Sequence, residues 1–150
     1  MALPLTHNRS RMPTDNAAII RRFIDDVINH GRYEVCDEIV AEDFLELDPL
    51  PGQREGREGL KEIIAMLRSA FPDIHWVTHE TISSGEKVVT RFTWTGTHRG
   101  DFLGIPATGR PVTVKGIVID RVVNSRMTDS RILMDTFGMM TQLGVIPPPA

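Results

Sequence analysis

From Ile74 to Asp135 the chain reads as four strand-like segments in close succession, and this run constrains the fold more than any other feature. The segments "IHWVTHETIS", "KVVTRFTWTGTH", "RPVTVKGIVIDRVV" and "RMTDSRILMD" are rich in β-branched and aromatic residues. Connections as short as "SGE" and "NS" suit antiparallel hairpins. What precedes them is helical. In "TDNAAIIRRFIDDVINHG", Thr14 or Asp15 can cap a first helix, and Gly31 stops it. Its apolar stripe is Ile20, Phe23, Ile24, Val27 and Ile28. A short second helix fits "RYEVCDEIVA". A third fits "REGLKEIIAMLRSAF", burying Leu60, Ile63, Ile64, Leu67 and Phe71 before Pro72. Between them, "EDFLELDPLPGQREG" carries two prolines and two glycines and is expected to be irregular.

Helices followed by antiparallel strands indicate an α+β domain, with about three N-terminal helices packed across one face of the sheet. A long antiparallel sheet twists and curls, so helices lying on its concave side leave a space they do not fill. Residues 15–150 are expected to form this single domain, behind a flexible leader at 1–14. With 150 residues, 41% of them hydrophobic, the chain is long enough for a real core. The net charge of -3 and the lack of a concentrated basic stretch argue against nucleic acid as a partner. No apolar run reaches the length of a signal peptide core or membrane span. One cysteine, Cys36, allows no internal disulfide and suits packing in a reducing compartment, hence a cytoplasmic expectation.

The last strand poses the functional question. At period two, one face carries Asp129, Arg131, Leu133 and Asp135, and the other Ser130, Ile132 and Met134. Either the charged face is solvated, or it looks into the space beneath the helices. Asp135 has two readings as well. It can be an acid/base group in a dry pocket, or the N-cap of a helix starting at "TFGMM".

Three stretches carry a family resemblance: "FLELDPLPGQREGREGLKEIIAMLRSAFPDI", "GTHRGDFLGIPATGRPVTVKGIVIDRV" and "MDTFGMMTQLG". The chain resembles the SnoaL-like polyketide cyclase or ester cyclase family, of the nuclear-transport-factor-2-like superfamily, from about Asn16 to Gly144. The resemblance implies a cone-shaped curved sheet open at one end, a homodimer, and ring closure by intramolecular aldol condensation without a cofactor. It implies that Asp135 is the principal acid/base. It turns Asp129, Arg131 and Leu133 inward beside Val118 and Asp120, with Asp120 and Asp129 facing each other across the turn. Where the family often reads "EHWD", this chain has "DSRI". The cyclases' other polar positions fall on Val118, Asp120 and Glu46.

The expected catalytic residues are therefore Asp135, Asp120 and Arg131. The leading expectation is a cofactor-independent acid/base enzyme of cyclase or isomerase type, acting on a small or medium apolar carbonyl compound contacted by Glu46, Trp76, Arg91, Phe102, Leu103, Val118, Asp129 and Leu133. Phe102 and Leu103, in "DFLGIPATG", would shape the cone's mouth or pack at a subunit interface. Glu46 and Asp48 alternate with Leu45 and Leu47 and fit either a loop surface or the mouth. An alternative comes from limonene-epoxide hydrolases of the same superfamily, which use an Asp-Arg-Asp arrangement; Asp135, Arg131 and Asp120 have those residue types. A non-catalytic small-ligand binder is the third reading. No metal is expected: His75 and His79, four apart on a strand, lie roughly 13 Å from each other.

Overall fold

The computed structural model describes residues 15–147; the leader expected at 1–14 lies outside them, as do residues 148–150. Helix α1 (Asn16–Arg22) starts at Asp15, whose side chain accepts from the Ala18 N–H at 3.2 Å. It continues as a wider, π-helical segment, Phe23–Asn29, which buries Phe23, Ile24, Val27 and Ile28. Gly31 ends the segment with φ +67°, and a Cβ there would stand 2.8 Å from Arg68 Nε. The expected second helix is a 3₁₀ turn, Tyr33–Val35, running into α2 (Cys36–Ile39). Helix α3 (Gly56–Ala70) turns Leu60 and Ile64 into the core.

The stretch expected to be irregular begins instead with a strand. Here β1 (Val40–Glu46) runs parallel to β5 (Arg126–Met134) at one edge of the sheet. An edge strand needs only one neighbour, so seven residues suffice before the prolines end it. The other strands are β2 (His75–Ser84), β3 (Lys87–Thr97) and β4 (Pro111–Val123), antiparallel in sequence as expected, giving the order β1-β5-β4-β3-β2. Helix α4 (Thr136–Gln142) follows β5 and packs on β4.

The inner face of the sheet carries Val88, Thr90, Phe92 and Trp94 from β3, and Val112, Val114, Val118, Asp120 and Val122 from β4. Gly116 lies in the same row, where a Cβ would run into the Phe92 ring. Its absence lets Phe92 lie flat against Trp76, the rings 4.0 Å apart and 17° from parallel.

One irregularity decides which side chains of β5 join that face. The β4–β5 hairpin turns at Asn124 and Ser125, both with positive φ as a two-residue type I′ loop requires. Val122 pairs with Met127, but Arg121 pairs with Asp129, leaving Thr128 as an extra residue. An unbroken hairpin would set Asp120 opposite Asp129 and Val118 opposite Arg131. The bulge moves the register by one, so Asp120 pairs with Ser130 and Val118 with Ile132.

Candidate active site

Helices and sheet enclose a cavity of about 480 Å³. Its helical wall is apolar, with Ile20, Phe23, Ile24, Ile28, Leu60, Ile63, Ile64 and Leu67. The sheet wall mixes Phe44, Trp76, Val118, Met127, Ile132 and Met134 with three polar residues, Glu46, Asp120 and Ser130. The segment Leu47–Leu50, with Gln53 and Thr136, borders it at the mouth.

The three polar residues form one row across three strands. Glu46 of β1 pairs with Ser130 of β5, and Ser130 pairs with Asp120 of β4. Residues opposite one another on adjacent strands share a face, so all three point into the cavity. Asp120 is 3% exposed and Ser130 4%. Burial raises the Asp120 carboxyl to about 7, helped by the nearby charges of Glu46 and Asp129 and opposed by the Ser130 hydroxyl. Burial also raises Glu46, against the backbone N–H groups of Asp48 and Ile132 and the Ser130 hydroxyl. Glu46 Oε1 accepts those two N–H groups at 3.0 and 3.3 Å, which fixes the carboxyl at the end of β1. The lining has one cation, Arg68, whose Nη1 donates to the Ile28 and Asn29 carbonyls at 2.7 and 3.0 Å and so caps the first helical segment.

The remaining β5 residues stand elsewhere, and this corrects the expected inward edge. Asp129 projects from the outer face, where its carboxylate meets Arg121 Nε at 3.2 Å. Arg131 is exposed, with Asp48 3.9 Å away. Leu133 borders the rim, yet its side chain is 70% exposed on the outer row. Asp135 is exposed and caps α4, accepting from the Gly138 N–H at 2.8 Å. The bulge at Thr128 is the cause: one extra residue sends the whole charged set outward. The Asp-Arg-Asp grouping needed for the epoxide-hydrolase reading is therefore not assembled.

Arg91 lies on the outer face, paired with Glu80 at 3.2 Å. Phe102 is buried against Phe71, away from the mouth, and Leu103 sits at the loop tip with φ +48°. Neither lines the cavity. The loop is ordered by His98, whose Nδ1 accepts from the Thr108 N–H at 3.2 Å. The Cys36 thiol is pushed up to about 11 by burial, which keeps it unreactive. Of the expected site residues, Glu46, Trp76, Val118 and Asp120 line the cavity, and Leu133 borders it at the rim. Strand periodicity without the bulge puts Ser130 on the opposite face, and Gln53 and Thr136 carry no sequence signal.

The profile of the SnoaL-like polyketide cyclases matches residues 18–143, nearly the whole described chain. The chain belongs to that family. Among curated relatives, this SnoaL-like chain is similar to the aklanonic acid methyl ester cyclase of Streptomyces peucetius, 28% identical over 129 residues that cover 84% of this chain and 88% of that one. The corresponding cyclase of Streptomyces sp. strain C5 is 27% identical over 84% of this chain and 80% of its own. Among solved structures, TsrD from Streptomyces laurentii superposes with a TM-score of 0.81 at 26% identity, covering 91% of this chain and all of that one. The SnoaL-like fold, a nuclear-transport-factor-2-like curved α+β sheet, is thus established, with β1 adding a parallel edge to the expected antiparallel strands.

Proposed function

We propose that this SnoaL-like protein closes a ring in a neutral, largely apolar carbonyl compound by acid/base catalysis without a cofactor, with Asp120 as the principal acid/base and Glu46 as its partner. The observation that carries this is a carboxyl raised to about 7, set in the wall of an otherwise greasy cavity. At neutral pH such a group is present in both protonation states. The Asp120 carboxylate takes the proton from a carbon next to a carbonyl. The resulting enolate carbon bonds to a second carbonyl carbon, whose oxygen becomes an alkoxide. The proton on Asp120, or that on protonated Glu46, passes to the alkoxide, and the product is an isomer of the substrate. Three acids on the lining, Glu46, Asp48 and Asp120, with no cation among its described residues free to pair with a ligand carboxylate, favour an ester or ketone over a free acid. The names of the curated relatives, cyclases of a methyl ester, agree with this preference.

A homodimer is supported by the outer face of the sheet, where Ile117, Ile119 and Leu133 stand exposed on adjacent strands. A cytoplasmic setting is supported by the single buried thiol.

The test is turnover of aklanonic acid methyl ester and related polyketide esters, followed by mass spectrometry in heavy-oxygen water. Wild type should give a product of unchanged mass with no label. Asp120→Asn should lose about 10²–10⁴-fold in rate, whereas Asp135→Asn should stay within a few-fold of wild type. An Asp120→Asn variant at full rate, or incorporation of solvent oxygen, would overturn the proposal.

A further inference from the structure

Ser130 has no part in the reaction as written above, yet it sits between the two acids. Its neighbour on one side is Glu46, by the parallel pairing of β1 with β5. Its neighbour on the other is Asp120, by the antiparallel pairing of β5 with β4. Side chains opposite one another on adjacent strands stand about 5 Å apart at Cβ, which puts each acid within reach of the hydroxyl between them. The two ends of the row differ in access. Asp120 is enclosed, whereas Glu46 is half-buried beside Asp48 at the mouth.

We infer that Ser130 is the positioning residue of the pair: its hydroxyl couples Asp120 to Glu46 and carries a proton from the enclosed carboxyl to the one at the mouth. This rests on the acid/base reading given above. In the step, Asp120 gives its proton to Ser130 Oγ while Ser130 gives its own to the Glu46 carboxylate. One O–H bond breaks and one forms at the serine, which ends unchanged. The net result is an ionised Asp120 and a protonated Glu46, with charge conserved. An enclosed base can in this way be reset for the next cycle without opening the cavity to water.

Few other groups bear on the pair. From β1 comes Glu46 itself, from the segment after it Asp48, whose charge raises Glu46 and which has Arg131 3.9 Å away, and from β5 Asp129 on the far side of the sheet, held by Arg121. On β3 the residue opposite Asp120 is Val88. The helical wall is apolar apart from Arg68, whose guanidinium is engaged by the Ile28 and Asn29 carbonyls. Serine is thus the polar link between the two acids among the described residues of this row.

The test is a pH titration of the Asp120 and Glu46 carboxyl carbons by ¹³C NMR, on the whole unliganded chain, for wild type, Ser130→Ala and Ser130→Thr. Loss of the hydroxyl should raise both midpoints, each by roughly half to one pH unit. Threonine, which keeps the hydroxyl, should restore them toward the wild-type values. Midpoints unmoved in Ser130→Ala, or moved alike in both variants, would overturn the coupling. If wild-type Asp120 titrated in the ordinary carboxylate range, the acid/base reading would fall and the coupling with it. A high midpoint insensitive to Ser130 would remove the coupling alone.

Discussion

Two rows of side chains leave strand β5 in opposite directions. The inner row, Ser130, Ile132 and Met134, lines a cavity, and Ser130 stands beside a carboxyl raised to about 7. The outer row, Asp129, Arg131 and Leu133, has the greater number of charges and much less apparent chemistry. Its ions are partly exposed and paired at 3.2 and 3.9 Å, where water screens them and each pair is worth little. Loss of solvent is what perturbs a carboxyl, and one inward acid outweighs two outward ions.

The severest way to break the contrast is to put a charge of the outer kind into the inner face. Met127→Arg does so, since Met127 stands opposite Val122 on the inner side of the sheet and is 1% exposed. An unpaired charge forced into the interior costs on the order of 4 kcal/mol, so the variant should lower the midpoint of urea unfolding severely or abolish cooperative folding. A wild-type unfolding curve would mean that burial does not separate the two faces of β5.

The contrast sharpens with pH. A carboxyl whose folded pKa lies above its unfolded value binds more protons in the native state. Wild-type stability therefore falls as pH rises from about 4 toward 7, the folded value of Asp120. Asp120→Asn removes that liability and should gain on the wild type across this window, by on the order of 3 kcal/mol at its upper end. Denaturant midpoints measured at pH 4.5 and 8 read the difference directly. A gap between variant and wild type that stays constant with pH would show Asp120 to be unperturbed.

The smallest effect belongs to Asp135. As the cap of a seven-residue helix, its replacement by alanine should cost about 1 kcal/mol with turnover almost unchanged. Thermal unfolding beside the ester assay checks both halves.

Most of the architecture could be read from periodicity. The first and third helices, the four antiparallel strands and the α+β layering follow from runs long enough to show their period. Strand β1 was hidden because its seven residues abut a proline- and glycine-rich loop, and an edge strand lacks the continuous apolar run of a central one. The site was less legible, for a local reason. In β5, Met127 is apolar, and so are Ile132 and Met134, but Met127 and Ile132 are five apart. An odd separation cannot share one face of a regular strand, so these residues already implied an extra residue between them. The acids and the arginine drew attention to the wrong parity, and likeness to a family could not reveal a register shift. The inward faces of Asp120 and Val118 are legible because β4 is regular where they lie.

The parallel pairing of β1 has a consequence for synthesis on the ribosome. Glu46 meets the Ile132 backbone across 86 residues of sequence, and contacts of such separation form late because a long loop must close first. A nascent chain that has not yet delivered β5 holds one acid of the pair on an unattached ribbon. On the proposed reading the acid pair is therefore assembled late, only once β5 has been delivered.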